Sequence, residues 1–592
     1  MHSSIFKTAG FILASLCSQL AMAATCLTTE VESNNSDTTA NTGICSGTAV
    51  NGMISSSSDY DWFKINVAAA GSISISLSHA SGADLDWFLY PVTGSYVTYK
   101  STKNNPETGS YNAPAAGTYY VRVKSYSGTG SYSLKVTFPS DATNPDVPPV
   151  EPPITAVVTG KVWLNGGSIA QDNAAIFVAG LRQATGKNTT APNINSTTNC
   201  STDWNTTPCP RVAVITASAI NQADGVDKFN NDTTSGAWSY YNLFQRHGFS
   251  PKHIMNHHDT YVNNSGNTST QGQANIAIVN QADVVYVIGG DQSRLSRSFL
   301  KDDGTDSPLL AAIRARYKAG NLIYAGDSAG TAIVPSTSYG EGISIGYLNQ
   351  NTLRSITPAN CPYVAPASDG TPAPSCLSHP TNVDFGTKIK GFGFVPNANV
   401  DTHFDNRNSR SGRLGRFIAA LKNIGPNVSY GIDQNTALYI NGDIATVYGS
   451  SGVFVAEAST SNFGTGTKFS ATGVRLSYLT AGDTFKFSDR TITTSKTKLI
   501  GSTGVGYQFT SALNSTNIFA VDANGLGSSS AVFKHMVDQT PTSSTGTAPS
   551  DSYNPLSFTL TFKRDAQTQA YKNATGTYSG PYTIKKALLD IN

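Results

Sequence analysis

The feature that most constrains the fold is a series of short, largely apolar segments that alternate with helix-like segments after residue 156. We predict buried strands at Arg211–Thr216, Ala282–Ile288 and Asn321–Ala325, and helices at Gly236–His247 and Pro308–Lys318. Apolar strands that alternate with helices are typical of a parallel sheet covered on both faces. The sequence therefore predicts an α/β domain with a parallel sheet flanked by helices.

Residues 24–138 follow a different pattern, in which polar and apolar residues alternate over short stretches separated by Gly and Ser. Period-two alternation with regular turns predicts an all-β sandwich. The stretches that show it are Trp62–Val67, Ser72–Leu77, Tyr119–Val123 and Tyr132–Val136.

The stretch 139–155 is dense in proline and therefore predicts an extended linker and a domain boundary. After residue 490 the chain returns to alternation rich in Ser, Thr and Gly. We expect residues 491–592 to form a small β-rich extension.

The N-terminus has the three parts of a secretory signal peptide. Basic His2 and Lys7 precede an apolar run at Ala9–Leu20, and small residues follow at Ala21–Ala23. This pattern predicts cleavage after Ala23 and a secreted protein, with the periplasm as an alternative. The apolar run is about half of the roughly 20 residues that a membrane span needs, so no span is predicted.

Charge and cysteine content narrow the class of protein further. Lys and Arg number 40 against 38 for Asp and Glu, a net charge of +2, which argues against nucleic acid as a partner. Six of the seven cysteines remain once Cys17 leaves with the signal peptide, and an even number in an exported chain favours disulfides. Six cysteines allow fifteen pairings. Three local loops are the simplest choice: Cys26–Cys45, Cys200–Cys209 and Cys361–Cys376.

A serine stands where an exposed nucleophile would be placed. The strand at Asn321–Ala325 runs directly into Gly326–Gly330, which has the sequence GDSAG. A GxSxG sequence between a buried strand and a helix has the context of a nucleophile elbow, although a glycine turn can also hold a serine that has no catalytic role. We expect Ser328 to be the nucleophile, with backbone N–H groups near Gly290 and Ala329 holding the oxyanion.

The strand before it ends in Ile288–Gln292, with the sequence IGGDQ. Glycines at the carboxyl end of a parallel strand allow a backbone to approach a ligand closely. Gln292 offers both a donor and an acceptor to an amide substrate. The alternative is an ordinary turn between a strand and a helix.

His403 is the best candidate for a general base, because imidazole can accept a serine proton near neutral pH. It lies in Val400–Leu414, close to three spaced arginines, Arg407, Arg410 and Arg413. The rival cluster is His257–Asp259, but its adjacent side chains diverge and it lies in a polar loop.

Two resemblances to known families cover most of the chain. Asp59–Phe63, Ala83–Tyr90 and Gly117–Val123 resemble the bacterial pre-peptidase C-terminal domain, which implies an accessory domain without catalysis of its own. Four carboxylates there are of a type that can bind calcium, but solvated or capping roles are commoner, and no metal is predicted. They are Asp59, Asp61, Asp84 and Asp86.

Residues 156–490 resemble the cyanophycinase branch of the serine peptidases that include aspartyl dipeptidases. The resemblance rests on ordered motifs: Leu164–Gly167, GGDQ, GxSAG, the histidine and arginine stretch, Gly431–Ala437 and Val474–Phe485. It implies a class I glutamine-amidotransferase-like or flavodoxin-like fold and no cofactor. It also implies Ser328 as nucleophile, His403 as base and Glu341 as the carboxylate that orients the histidine, with Asp384 as the alternative.

The substrate that the resemblance implies is cyanophycin, a polyaspartate with arginine on each β-carboxyl, which is cut to β-Asp-Arg dipeptides. We expect arginines to bind its carboxylates and Asp401 to bind its guanidinium. Thr402 stands where the family usually has glutamine. The predicted substrate-binding residues are Gln292, Asp401, Thr402, Arg407, Arg410 and Arg413.

Three functions are therefore compared. The preferred one is an extracellular cyanophycinase. The second is a secreted serine peptidase that acts on other aspartyl peptides, and the third is a surface-binding protein that has lost activity. The sequence leaves a homodimer open.

Overall fold

The computed structural model describes residues 26–139, 160–498 and 509–592. Gaps fall at 68–69, 93, 188–189, 234–235, 261–267, 341, 351–352, 357–386, 396, 406–411, 426–427, 459–460, 520–528, 553 and 573–581. The predicted signal peptide and most of the proline-dense linker lie outside these residues. The chain divides into two compact units, Met1–Glu151 and Pro152–Asn592.

The first unit is a β-sandwich of two four-stranded antiparallel sheets, as the alternating pattern predicts. Their strand orders are β1-β8-β3-β6 and β2-β7-β4-β5. Apolar residues from both sheets fill the space between them, including Phe63, Ile75, Trp87 and Val121. The strands are β1 (Ala49–Ile54), β2 (Tyr60–Val67), β3 (Gly71–His79), β4 (Asp84–Pro91), β5 (Thr98–Lys100), β6 (Glu107–Ala113), β7 (Gly117–Ser127) and β8 (Gly130–Thr137), after a 3₁₀ turn at Asp37–Thr39.

The second unit is an α/β domain, which confirms the predicted fold class. Its strands are β9 (Lys161–Asn165), β10 (Arg211–Ile215), β11 (Ser250–Ile254), β12 (Val284–Val287), β13 (Ile323–Asp327), β14 (Thr337–Tyr339), β15 (Arg354–Ile356), β16 (Thr387–Lys390), β17 (Ala398–Asp401), β18 (Val428–Ile432), β19 (Thr436–Asn441), β20 (Ile444–Gly449), β21 (Gly452–Glu457), β22 (Asn462–Phe463), β23 (Ala471–Thr480), β24 (Thr484–Lys486), β25 (Ile492–Thr493), β26 (Thr497–Lys498), β27 (Ser543–Ala548), β28 (Phe558–Lys563), β29 (Gln569–Lys572) and β30 (Tyr582–Ile591).

The described helices of this unit are short, and Asn, Ser or Asp side chains cap the N-termini of the first six. They are α1 (Ala174–Ile176), which continues as a π-helical turn at Phe177–Arg182, α2 (Gln222–Asn230), α3 (Tyr240–Arg246), α4 (Thr270–Gln281), α5 (Gln292–Phe299), α6 (Pro308–Lys318), α7 (Ala329–Ala332), α8 (Ser344–Gln350), α9 (Leu414–Asn423) and α10 (Ser529–Val537). The predicted helix at 308–318 has the predicted bounds. The helix predicted from Gly236 begins instead at Tyr240, because Ser239 caps it by accepting the Asn242 N–H. None of the helices in the described part of the chain has the length and apolar character that a membrane crossing requires.

The central sheet of the second unit has nine strands in the order β11-β10-β12-β13-β9-β19-β20-β24-β25. The pairs from β11 to β9 are parallel, and the pair β9–β19 is antiparallel. Alternate residues of its strands enter two cores. Val212 and Val214 pack with the side of α3, whereas Ala213 and Ile215 pack with the side of α4 and α6. Both faces of the parallel sheet are therefore covered, and its strands end together at one edge.

A second large sheet has the path β17-β18-β21-β23-β30-β28-β27. Strand β30 pairs antiparallel along β23, and β28 pairs with β30. The residues after 490, expected as a small extension, thus complete a sheet that begins at Ala398. Their side chains share one buried core with β21 and β23.

Two of the three predicted disulfides lie in the described residues, and both are confirmed. They join Cys26 to Cys45 and Cys200 to Cys209. Cys361 and Cys376 lie outside the described residues, so their pairing stays a prediction.

Candidate active site

Ser328 occupies a strained turn between β13 and α7. Its backbone has φ 48° and ψ −108°, a conformation that non-glycine residues rarely adopt. Both flanking glycines are required by close backbone contacts. A Cβ on Gly326 would lie 2.3 Å from the Gly330 carbonyl oxygen, and a Cβ on Gly330 would lie 2.2 Å from the Val287 carbonyl oxygen. The sequence GDSAG therefore forms a nucleophile elbow in its geometry.

His403 lies against this serine. Its Nε2 is 2.7 Å from the Ser328 Oγ, although 75 positions separate the two residues. The His403 backbone, with φ 51°, donates its N–H to the Gly166 carbonyl at 2.7 Å. A Cβ on Gly167 would lie 2.3 Å from the imidazole ring, so the glycine pair at 166–167 makes room for the base. This contact is the serine and base pair that acyl transfer requires.

Gln434 lies on the other side of the imidazole ring. Its side-chain nitrogen is 2.7 Å from the His403 Nδ1 and donates to the Ser168 Oγ at 3.0 Å. If the Gln434 amide turned over, its oxygen would lie against Nδ1 and accept the proton of an imidazole protonated there. An imidazole that carries its proton on Nδ1 leaves Nε2 free to accept the serine proton. Gln434 thus stands where an orienting group acts.

Sequence reasoning included Gln434 only as part of a family motif and gave it no role. A signal for its position existed in the strand pattern. Strands β17 and β18 are parallel neighbours, with Ala398 opposite Val428. Side chains that follow their carboxyl ends therefore meet, but the sequence alone does not establish that these two strands are neighbours.

A buried polar network supports the backbone around Gln434. The Gln434 N–H donates to the Asp405 Oδ1 at 2.8 Å, and the next carboxylate, Asp433, accepts the Tyr478 hydroxyl at 2.6 Å and the Ser451 hydroxyl at 2.8 Å. Burial, followed by the charge of Asp405, raises the pKa of Asp433 to about 7. Lys534, from α10, lies within electrostatic reach of both carboxylates, and burial lowers its pKa. The C-terminal segment therefore contributes to the support of the candidate active site.

The predicted oxyanion donors lie beside the serine. Gly290 has φ 149°, and a Cβ there would lie 2.5 Å from the Ser218 carbonyl oxygen. The ideal Cβ of its neighbour Gly289 would lie 3.1 Å from the Ser328 Cβ. In the described part of the chain, no hydrogen bond uses the N–H of Gly290 or of Ala329. Both N–H groups are therefore available to a ligand, and their role as oxyanion donors stays a prediction.

Other predicted site residues have varied positions. Glu341, Asp384, Arg407 and Arg410 lie outside the described residues, so the carboxylate of the triad stays a prediction. Gln292 uses its amide nitrogen within the chain, where it donates to the Gly340 carbonyl at 2.9 Å. This bond ties the start of α5 to the strand that leads to residue 341.

The expected contact between Asp401 and a substrate guanidinium needs correction. Asp401 is 1% exposed, and Arg416 binds both of its oxygens, with Nε 2.6 Å from Oδ2. Arg413 also approaches it, with Nη1 3.3 Å from Oδ1, and the Thr402 N–H donates to the same oxygen at 2.9 Å. Since the chain's own groups satisfy this carboxylate, Asp401 holds β17 to α9 rather than facing a ligand.

Two clusters of described residues bring three possible metal ligands within 4.8 Å of one another: His257, His258 and Asp259, and Glu30, Glu32 and Asp61. His257 already contacts the Asp259 carboxylate at 2.9 Å and the Ala219 carbonyl. Burial lowers the pKa of His258 to about 3. In the rival histidine cluster of the sequence, His257 is therefore bonded within the chain, and no hydrogen bond joins the cluster to Ser328 in the described residues.

Two protein-family models match parts of the chain. Residues 239–346 match the model of Peptidase family S51, and residues 59–125 match the Bacterial pre-peptidase C-terminal domain. Each of the two matches covers a part of the chain. The S51 match includes Ser328 and ends before His403, so the contact between them is an observation independent of it.

Curated relatives of the S51 domain carry the name cyanophycinase. The protein from Trichormus variabilis is 28% identical over 215 residues, which are 35% of this chain and 58% of that relative. The protein from Geminocystis herdmanii is 27% identical over 186 residues, 31% of this chain and 53% of the relative. The chain thus spans little more than half the length of the curated relatives it matches.

A solved structure of a peptidase from an acI-B1 Actinobacterium is similar over 56% of this chain and 98% of its own, at 16% identity and a TM-score of 0.31. The pre-peptidase C-terminal domain of a Bacillus anthracis collagenase is 29% identical over 16% of this chain and 90% of its own, with a TM-score of 0.15. The fold assignment rests on the sheet topology rather than on these scores.

Proposed function

We propose that this chain is a secreted serine-type peptidase of the cyanophycinase kind, which hydrolyses cyanophycin to β-Asp-Arg dipeptides. The observation that carries the proposal is the 2.7 Å contact between Ser328 Oγ and His403 Nε2 at a strained elbow. The S51 match and the relatives named cyanophycinase support the choice of reaction.

The proposed reaction uses this geometry. Ser328 Oγ attacks the scissile carbonyl while His403 Nε2 accepts the hydroxyl proton. The N–H groups of Gly290 and Ala329 stabilise the oxyanion. The imidazolium then gives its proton to the leaving amine, and water, activated by the same histidine, hydrolyses the acyl-enzyme. Glu341 is proposed to orient His403 together with Gln434.

Substrate binding is proposed to use the arginines that follow the base. Cyanophycin offers many carboxyl and guanidinium groups, and Arg407, Arg410 and Arg413 supply cations for the former. Gln292 and Thr402 complete the proposed binding set. The partners implied are the cyanophycin polymer or an aspartyl peptide.

Secretion is proposed from the N-terminal pattern. Two disulfides support it, because such bonds persist in oxidising compartments. Residues 24–138 are then an accessory domain of the secreted enzyme.

The decisive experiment incubates mature protein with insoluble cyanophycin and identifies the products by mass. We expect β-Asp-Arg dipeptides from the wild type and none from folded Ser328→Ala or His403→Ala variants. Release of products only from other aspartyl peptides would favour the second function. Binding without any product would favour a surface-binding protein, and full turnover by a folded Ser328→Ala variant would remove Ser328 as nucleophile.

A further inference from the structure

The outer side of one sheet of the sandwich unit carries aromatic residues in place of the polar residues that usually cover such a surface. The inward residues of β2, β4 and β7 alternate with them and fill the core, among them Phe63, Trp87 and Val121. A sheet face that meets water is normally polar. We call the outward rings of these strands, of β5 and of the loop before it the aromatic face: Tyr60, Trp62, Phe88, Tyr90, Tyr96, Tyr99 and Tyr120.

Strand pairing arranges these rings and three cations in rows across the sheet. The middle row crosses all four strands and consists of Trp62 of β2, Arg122 of β7, Phe88 of β4 and Tyr99 of β5. The flanking rows are Tyr60, Lys124 and Asp86 on one side, and Lys64, Tyr120 and Tyr90 on the other. Each row therefore presents a ring beside a cation. Neighbouring rows lie about 6.6–6.8 Å apart, because outward residues are two positions apart along a strand.

The rings hold one another in fixed orientations. Phe88 and Tyr99 stack with their ring centroids 5.3 Å apart, and Tyr96 meets Tyr99 edge-on at 5.1 Å. The Arg122 guanidinium lies 4.8 Å from the ring centroid of Phe88. Tyr60, Tyr96 and Tyr99 still expose 37%, 45% and 48% of their surface. A partner that stacks on these tyrosines therefore orders little that is not already ordered, which favours binding.

The charges in the three rows are mainly positive. No ion pair joins Lys64, Arg122 or Lys124 to a carboxylate among the residues that the structure describes. Asp86 lies opposite Lys124, but it is 1% exposed and accepts the Ser101 hydroxyl at 2.9 Å. The cations are therefore available to the carboxylates of a partner, and the exposed ring faces are available to its cations.

We propose that the aromatic face is a second binding site for the polymeric substrate, separate from Ser328. The inference rests on the proposed function and names the part of the chain that holds the insoluble polymer. An arginine that is joined to a β-carboxyl through its amino group keeps a free carboxylate and a free guanidinium. The guanidinium stacks on Tyr96 or Tyr99, and the carboxylate binds Arg122 or Lys124.

The repeat of the polymer fits the spacing of the rows. Branches on one side of an extended polyaspartate recur about every 7 Å, because each residue advances the chain by about 3.3–3.6 Å. Successive branches can therefore occupy successive rows, so that several weak contacts act together. A neutral polysaccharide would use the rings but not the cations, so the face favours an ionic polymer.

Binding is measured by sedimentation of the full chain with insoluble cyanophycin, in a Ser328→Ala background so that the polymer is not consumed. Replacing Tyr96 and Tyr99 together by Ala should raise the apparent Kd at least about tenfold, and Arg122→Gln should raise it about threefold or more. Tyr126→Ala is the matched control, because this tyrosine of the same unit is 67% exposed and makes no ring contact among the described residues. Its Kd should stay within about twofold of the parent value.

The active chain gives a second readout. In the double variant of Tyr96 and Tyr99, product release from the insoluble polymer should slow at least about fivefold, whereas kcat/KM on a short soluble oligomer should stay within about twofold. Thermal unfolding checks that each variant is folded. If Arg122→Gln does not fold, Lys64→Gln replaces it.

An unchanged Kd in the double variant, or an equal loss of rate on the polymer and the oligomer, would overturn the inference and leave the proposed function intact. A double variant that still binds cyanophycin but no longer binds chitin or cellulose, which the parent binds, would also overturn it, because the face would then serve a polysaccharide. A wild type that releases no product from either the polymer or the oligomer would instead contradict the proposed function, and the inference with it.

Discussion

At the scale of single residues, the candidate site is held together by contacts that fix one histidine ring. Ser328 touches Nε2, Gln434 touches Nδ1, and Gly167 leaves the space that the ring fills. A base with a fixed position loses less entropy in reaching the transition state. Gln434 is therefore expected to influence the rate although it does not touch the reacting carbonyl.

Replacing Gln434 by Glu tests this influence. A carboxylate beside Nδ1 favours the imidazolium, so the acid limb of the kcat/KM profile should move up by about one pH unit. Gln434→Met, which removes the polar contact, should lower kcat about tenfold with little change in KM. Gln281→Glu, on the exposed surface of α4, is the matched control. An unchanged profile in Gln434→Glu would show that the amide does not act through His403.

The pKa of Asp327, raised by burial, predicts how the stability of the protein depends on pH. Its folded pKa of about 7 lies above the ordinary value of 3.8, so the folded chain holds a proton that the unfolded chain releases. The contribution of this proton to the stability of the folded chain is complete below pH 4 and is lost as the pH rises through 7. The free energy of unfolding then falls by about 2–4 kcal/mol. Asp327→Asn should therefore match the wild type at pH 4 and exceed its unfolding free energy at pH 8. Denaturant unfolding at both pH values measures this, and the same difference at both would contradict it.

At the scale of elements, the elbow depends on how closely α7 approaches β12. Gly330→Ala would place a Cβ 2.2 Å from the Val287 carbonyl oxygen, so α7 must shift. We expect a loss of about 1–3 kcal/mol in unfolding free energy, and a loss of activity about 100-fold because the nucleophile moves with the helix.

Gly466→Ala is the matched control for this change. The nearest atom to its ideal Cβ is 4.0 Å away. The two variants are compared by thermal unfolding and by kcat. If Gly330→Ala retained full activity, the close approach at the elbow would not be needed for catalysis.

Most of the elements that build the site could be predicted from the sequence, because their patterns are local. The apolar strands at 211–215, 284–287 and 323–327 and the helix at 308–318 were visible from composition and spacing. Ser328 could be predicted as the nucleophile from its place after a buried strand. His403 could be predicted as the general base from the neighbouring arginines and a family motif.

The features of the site that could not be predicted from the sequence depend on contacts between segments that are distant along the chain. The partners of Asp401 are an example, since Arg416 lies on α9 and its direction toward β17 is a tertiary fact. The unpaired Oδ1 of Asp327 is another, because the lack of a partner among the described residues is visible only in the folded structure. The motif Gly431–Ala437 was recognised, but the position of Gln434 against the imidazole required the register of β17 and β18.

At the scale of the whole molecule, the residues after 490 are expected to be indispensable to the second unit. Leu560, Ile584 and Leu589 are fully buried in one core with Phe454 and Leu476. Each such side chain contributes about 1.5–3 kcal/mol, so these three together contribute about 4.5–9 kcal/mol, a large part of the roughly 5–15 kcal/mol by which an ordinary domain is stable. A chain that stops at 490 should therefore fail to fold and lose activity.

The matched truncation removes the first unit instead, starting the chain at 156. Because that unit has its own core, the remainder should stay soluble and retain its unfolding transition. Both truncations are compared by solubility and by calorimetry. A folded, active chain ending at 490 would contradict the prediction.

The place of β30 between β23 and β28 also sets an order of events during synthesis. The sandwich unit can close as soon as its own strands have emerged, whereas the larger sheet waits for residues as late as Ile591. Until then, β23 presents an unpaired and largely apolar edge, a template for wrong pairing with other chains. If the chain is exported as proposed, it gains from being held unfolded until its passage is complete. A cut between β23 and β30 would leave that edge permanently open.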